Sequence, residues 1–196
     1  MRGARLAGLT VVLIAAAGCA DPAEAPSSGF LGDYSQLRPG RGDQAQLVYI
    51  DMEADFSGYT KILVDQPVVW YGRDGAASQG NAEELARMAD YLGEALRTQL
   101  ASEFEVVERP ASGVLQIRSA ITGATESSIS VEVEVLDALS QRRLVAAADT
   151  REGIRERDGG DVRKTLDFWA GRARERLAAF RRFDAAESAF ESNGEP

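Results

Sequence analysis

The chain contains no histidine, so Ser-His and Cys-His nucleophilic systems and histidine metal sites are excluded by composition alone. A Ser-Lys dyad would have to use Lys61 or Lys164, the only lysines, and a strand start and a helix face account for both without catalysis. Glu132 and Glu134 share one face of an alternating segment and could imitate a working carboxylate pair. Alternation by itself predicts two exposed acids at those positions, so the pair reads as a solvated strand face. Arg172, Arg174, Arg176, Arg181 and Arg182 concentrate positive charge near the C-terminus, where contact with anionic headgroups is the functional reading. Glu175 interrupts them, and a solvated helix face is the simpler reading. Gly40-Arg-Gly42 lacks the leading strand and following helix of a phosphate loop, and Arg41-Gly42-Asp43 is an adhesion tripeptide that common residues spell by chance. No catalytic residue, cofactor or metal is therefore assigned. Trp70 and Tyr71, at a strand end beside Gly72, form the candidate partner surface, with plain rim packing as the alternative.

Cys19, the single cysteine, is the remaining reactive group, and its surroundings give it a use. Arg2 and Arg5 are followed by an apolar run from Leu6 to Ala17 and then by Gly18-Cys19, which is the order of an export signal. A dozen apolar residues fall well short of the ~20 that cross a bilayer as a helix. Ala16-Ala17-Gly18-Cys19 resembles the lipobox of bacterial lipoproteins, with alanine where leucine is usual. That resemblance implies cleavage after Gly18 and acylation of Cys19. At ~0.8 kcal/mol per buried methylene, several acyl chains hold a protein stably on its membrane. Ala20 follows the cysteine in place of the aspartate that signals inner-membrane retention. The expected address is therefore the outer membrane, facing the periplasm.

Charge narrows the partners. The chain carries 22 Lys and Arg against 31 Asp and Glu, a formal net charge of −9, and cleavage would remove two arginines and no acid. Nucleic acid is a poor partner for that balance. The expected partners are the membrane, through lipid on Cys19, and an envelope protein whose identity the sequence does not carry. With Cys19 acylated no thiol remains for a disulfide, so the domain must rest on its core.

The positioning elements follow from punctuation and periodicity. Residues 1–18 read as the signal peptide and 19–28 as a small, polar, proline-bearing tether. From Cys19 to Phe30 that tether reaches at most ~40 Å when fully extended. Residues 29–185 read as one domain and 186–196 as a frayed tail. Phe30, Leu31, Tyr34 and Leu37, ahead of Pro39-Gly40, suggest a short clip docking on the body. Strands are expected at Leu47 to Ile50, at Lys61 to Trp70 with an edge, bulge or end at Pro67, at Phe104 to Glu108, Val114 to Thr122, Ile129 to Leu136 and Arg143 to Asp149. Asn81 opens a helix whose stripe is Leu85, Met88, Ala89, Leu92, Leu96 and Leu100. Asp161 caps a second, bearing Val162, Leu166, Trp169, Ala173, Leu177 and Phe180. The fold class is α+β: a mixed, largely antiparallel sheet in β-α-β-β-β-α order with two main helices packed on it.

Several of these stretches resemble the DUF3313 family of bacterial lipoproteins, whose function is unknown. The stretches are Gly29 to Pro39, Lys61 to Gly72, Leu85 to Leu100, Val114 to Thr122, Val133 to Asp137 and the helix around Trp169. The resemblance implies the fold and supplies no catalytic residues. Two functions remain: a non-enzymatic binding or scaffolding module of the envelope, and an envelope hydrolase or glycan-acting enzyme using carboxylates. A pocket lined by two perturbed carboxyls would favour the second, and an apolar groove or patch the first.

Overall fold

The computed structural model describes residues 27–72, 81–125, 127–152 and 160–192. The signal segment, Cys19 and most of the tether lie outside the described residues. In chain order the elements are β1 (Arg38–Pro39), β2 (Leu47–Ile50), β3 (Lys61–Val64), β4 (Val68–Val69), α1 (Ala82–Leu100), β5 (Glu105–Val107), β6 (Val114–Ala124), β7 (Ser128–Asp137), β8 (Arg143–Glu152) and α2 (Gly160–Ser192). They make one eight-stranded sheet in the order β1-β2-β8-β7-β6-β3-β5, with β4 also on β6. The β1-β2-β8-β7-β6 half is antiparallel, while β3 runs parallel to β5 and β6, and β4 parallel to β6. The fold is the α+β arrangement expected.

Local chemistry explains the boundaries. The Asn81 side chain accepts from the Glu83 amide at 3.0 Å, an N-cap that satisfies one of the free donors at the start of α1. Leu85, Ala89, Leu92, Leu96 and Leu100 then recur at helical spacing and are all buried. The strand expected from Lys61 to Trp70 is two strands, broken at Asp65-Gln66-Pro67, because Pro67 has no amide to give a ladder. Both pieces still lie along β6, Val64 opposite Ile117 and Val68 opposite Ala120. Gly93 lets α1 approach this break: a β-carbon there would stand 2.8 Å from Pro67 Cδ. Helix α2 continues to Ser192, past the expected fraying point near Ala185, since nothing in the sequence stops it.

Both helices lie on one face of the sheet. Ile62, Leu115, Ile117, Ile121, Ile129 and Val135 meet Leu92, Leu96, Leu166 and Leu177 there in the main core. On the opposite face the expected clip docks as read, Leu31 and Leu37 closing over Ala146 between Leu47 and Tyr49. That clip overturns one expectation about β7. Alternation predicts one packed and one wet face, but Glu132 is 0% exposed and Glu134 4%. The period of two was right and the solvent assignment wrong, because residues 28–37 fold back over the second face. Among the described residues no helix is long and apolar enough to cross a membrane.

Candidate functional site

Two constructions stand out, one on each face of the sheet. On the clip face, β7 carries Glu132 and Glu134 inward beneath residues 28–37. Glu132 accepts from the Ser28 amide at 2.9 Å and from the Tyr34 hydroxyl. The Tyr34 oxygen in turn accepts from the amides of Gly29 and Leu31. Burial and its bond to Glu132 push the Tyr34 phenol above its ordinary pKa. Glu134 takes Arg118 at 2.7 Å and Arg143 at 2.9 Å, and Arg143 also donates to the carbonyls of Asp33, at 2.8 Å, and Leu31. Trp70 seals the edge: its indole nitrogen donates to the Ser28 carbonyl at 3.2 Å, and its ring meets Phe30 edge-on at 5.7 Å. The clip is thus stapled by two buried acids with every oxygen matched. Each of the four carboxylate oxygens has at least one donor among the described residues.

On the helix face, α2 stands over the β2-β8 side of the sheet and leaves a cavity of about 160 Å³. Register sets its floor. Ile50 pairs Val145 and Val48 pairs Ala147, so these four side chains share one face, with Val133 opposite Ala147 continuing inward. Trp169, Ala173 and Leu177 of α2 form the roof. At the inner end lies Ser119, whose hydroxyl is buried and has no hydrogen-bond partner among the described residues. At the mouth Arg172 and Arg176 both grip the carboxyl of Asp43, Arg176 at 2.7 Å. Desolvation pushes that carboxyl up, but Arg172 and then Arg176 outweigh it and hold it below the ordinary range. Gly40 shapes the loop that presents Asp43, since a β-carbon there would collide with the Ala45 carbonyl. A second corner of the mouth is Asp149, which accepts from the Trp169 indole at 2.8 Å, beside Arg151 stacked over Phe168 at 4.2 Å.

The sequence model of a family described as proteins of unknown function, DUF3313, matches residues 26–128. The chain belongs to the DUF3313 family. No curated protein matches it. Among solved structures, a PelC dodecamer from Paraburkholderia phytofirmans is similar at 12% identity, over 68% of this chain and 96% of that one, with a TM-score of 0.42. A DUF4136 protein from Bacteroides thetaiotaomicron is similar at 10% identity over 68% and 95%, TM-score 0.43. A DUF330 protein from Xanthomonas campestris is similar at 12% over 70% and 92%, TM-score 0.39.

In this DUF3313 chain the residues singled out by sequence scatter. Lys61 pairs with Glu105 at 3.4 Å and Lys164 with Asp161 at 3.3 Å. Trp70 is half-buried against the clip, while Tyr71 is 43% exposed. The helix arginines are engaged rather than freely solvated: Arg181 and Arg182 pair with Glu103, Arg174 with Glu175 and Arg172 with both Glu175 and Asp43. Tyr34 was read as part of the clip but not as a partner of Glu132, and Arg118, Arg143, Asp149 and Ser119 escaped the sequence reading as site residues. The spacing of Glu132 and Glu134 was the available signal for the first three, since two acids on one strand face need two sets of donors if anything covers that face.

Proposed function

We propose that this DUF3313 protein is a lipid-anchored, non-enzymatic binding module that works close to its own membrane. The single observation that carries the reading is the staple on Ser28. The lipobox-like Ala16-Ala17-Gly18-Cys19 places an acylated cysteine nine residues ahead of Ser28, and Ser28 is already fastened to Glu132 and Trp70. Even fully extended, the link between anchor and body spans about 30 Å. The carboxylate-enzyme alternative is weakened at its best candidates, because Glu132 and Glu134 lie buried under the clip and are bonded to Ser28, Tyr34, Arg118 and Arg143. An apolar cavity without a paired acid and base supports binding rather than bond cleavage. The finer elements of the reading are an outer-membrane address facing the periplasm, argued from Ala20, and an envelope protein partner in the same leaflet.

Metabolic labelling with palmitate tests the anchor. The native chain takes up label and Cys19→Ser does not; equal labelling of the two ends the lipoprotein reading. Recovery of the native chain with inner-membrane vesicles on a density gradient would overturn the address and leave the anchor standing.

A further inference from the structure

We infer that the cavity under α2 is a binding site for a small amphiphilic carboxylate, its apolar body between α2 and β8 and its acid on Arg172 and Arg176. This goes beyond the anchoring proposed above and does not depend on it.

Two independent features converge. First, a cavity of about 160 Å³ is the size of one that stays dry and takes up a benzene-sized guest, so the apolar part is a short alkyl chain or a single ring. Val48, Val145 and Ala147 below and Ala173 and Leu177 above offer it apolar contact. Second, the mouth has the chemistry to hold a carboxylate: two guanidinium groups close on one carboxyl, that of Asp43. The Asp43 side chain is 67% exposed, and pairs so open to water are worth little. A carboxylate that also brings an apolar tail into the cavity therefore displaces it, because tail burial adds what Asp43 lacks. Asp43 stands in for the ligand's head when the site is empty.

Trp169 lines the cavity and gives the readout. The full chain, reconstituted in phosphatidylcholine nanodiscs, is titrated with octanoate in a Trp70→Phe background, which leaves Trp169 as the only indole. Saturable change in Trp169 emission is expected, with a matching rise in melting temperature in the chain that keeps both tryptophans. Ala147→Leu, filling the floor, and Ala173→Leu, filling the roof, should abolish the response while melting no lower than the parent. Arg172→Ala with Arg176→Ala should weaken octanoate about tenfold, and Asp43→Asn, which removes the internal competitor, should tighten it up to about fivefold. The neutral analogue octanol should bind without sensing either change. No saturable response in the native chain, or an unchanged response in both filled variants, overturns the site, the latter because it reports uptake into the bilayer. Equal sensitivity of octanol and octanoate to the arginine and Asp43 changes overturns the carboxylate clamp.

Discussion

Glu132 and Glu134 stand two residues apart on β7; Glu132 draws its partners from about a hundred residues earlier and Glu134 from the two neighbouring strands. Glu134 sits between Arg118 of β6 and Arg143 of β8, so its single charge is shared by two arginines, of which Arg143 is mostly withdrawn from water. Glu134→Ala would leave Arg143 buried without a counter-charge, the costly half of a broken pair, at about 3 kcal/mol of unfolding free energy in urea titration. Glu132→Ala is predicted to be milder, at roughly 1–3 kcal/mol, because it strands a hydroxyl and an amide rather than a charge. Trp70 emission should shift to the red in that variant, as the Ser28 and Phe30 contacts of its ring loosen. On the helix face Leu166 is fully buried between α2 and the sheet. Leu166→Ala should cost about 2–5 kcal/mol, with the higher end expected because this face already contains a cavity and has little slack to close another.

At the scale of elements, the clip and the β7-β8 hairpin each contain a titrating side chain whose pKa is displaced in the fold. Tyr34 has a raised pKa in the folded protein. A phenol raised on folding contributes stability that is complete below the unfolded value of about 10 and is lost as pH rises through the higher folded value. Alkaline titration should therefore release the clip first, seen as a Trp70 change, and Tyr34→Phe should remove that pH dependence. Comparison of the two chains isolates Tyr34 from Tyr59, whose phenol is also pushed up, to about 12, by burial and by its bond to Asp137. The hairpin responds at the other end of the scale. Backbone donation from Ser140, followed by bonds from its hydroxyl and from Tyr59, holds the Asp137 carboxyl below its ordinary range. Its stabilising contribution is present above about pH 4 and disappears as pH falls through the lower folded value. Asp137→Asn should flatten the acid limb of the stability curve. The same turn places Gln141 at φ 58, held by its side-chain bonds to Gln116 and Ala138, so Gln141→Gly should be tolerated.

The whole molecule has two built faces separated by the sheet, one closed by residues 28–37 and one holding the cavity. Under the anchoring proposed above, a link of about 30 Å at most predicts partners among the proteins or lipids of the same leaflet or wall material lying against it. Inserting about thirty Gly and Ser residues tests this, since it roughly doubles the mean span of a flexible link, from roughly 17 Å to roughly 34 Å. The insertion belongs after Pro26, ahead of the bonded Ser28, so that the staple survives. Crosslinking to native partners should weaken while expression and melting stay the same. Native partners recovered from the opposite membrane, and captured better through the longer link, would reverse the proposed direction of reach.

Much of this was legible in the residues alone, for identifiable reasons. The cap of α1, the stripes of the two helices, the alternation of β6 to β8 and the docking of Phe30 to Leu37 are local patterns, each set by spacing within a few turns or one strand, whereas Asp161, expected as the cap of α2, lies inside its first turn. The break at Pro67 is likewise the property of one residue that lacks an amide. What only the tertiary structure decided is which surfaces meet. Alternation says that Val133 and Glu132 point opposite ways but not that a segment a hundred residues earlier returns to cover the glutamate. Nothing near Asp43 announces Arg172 and Arg176, more than 120 residues later in the sequence. The cavity belongs to neither α2 nor β8 alone. It arises because α2 stands over β2 and β8 with mainly small and β-branched side chains beneath it, and such a gap exists only once the layers have packed.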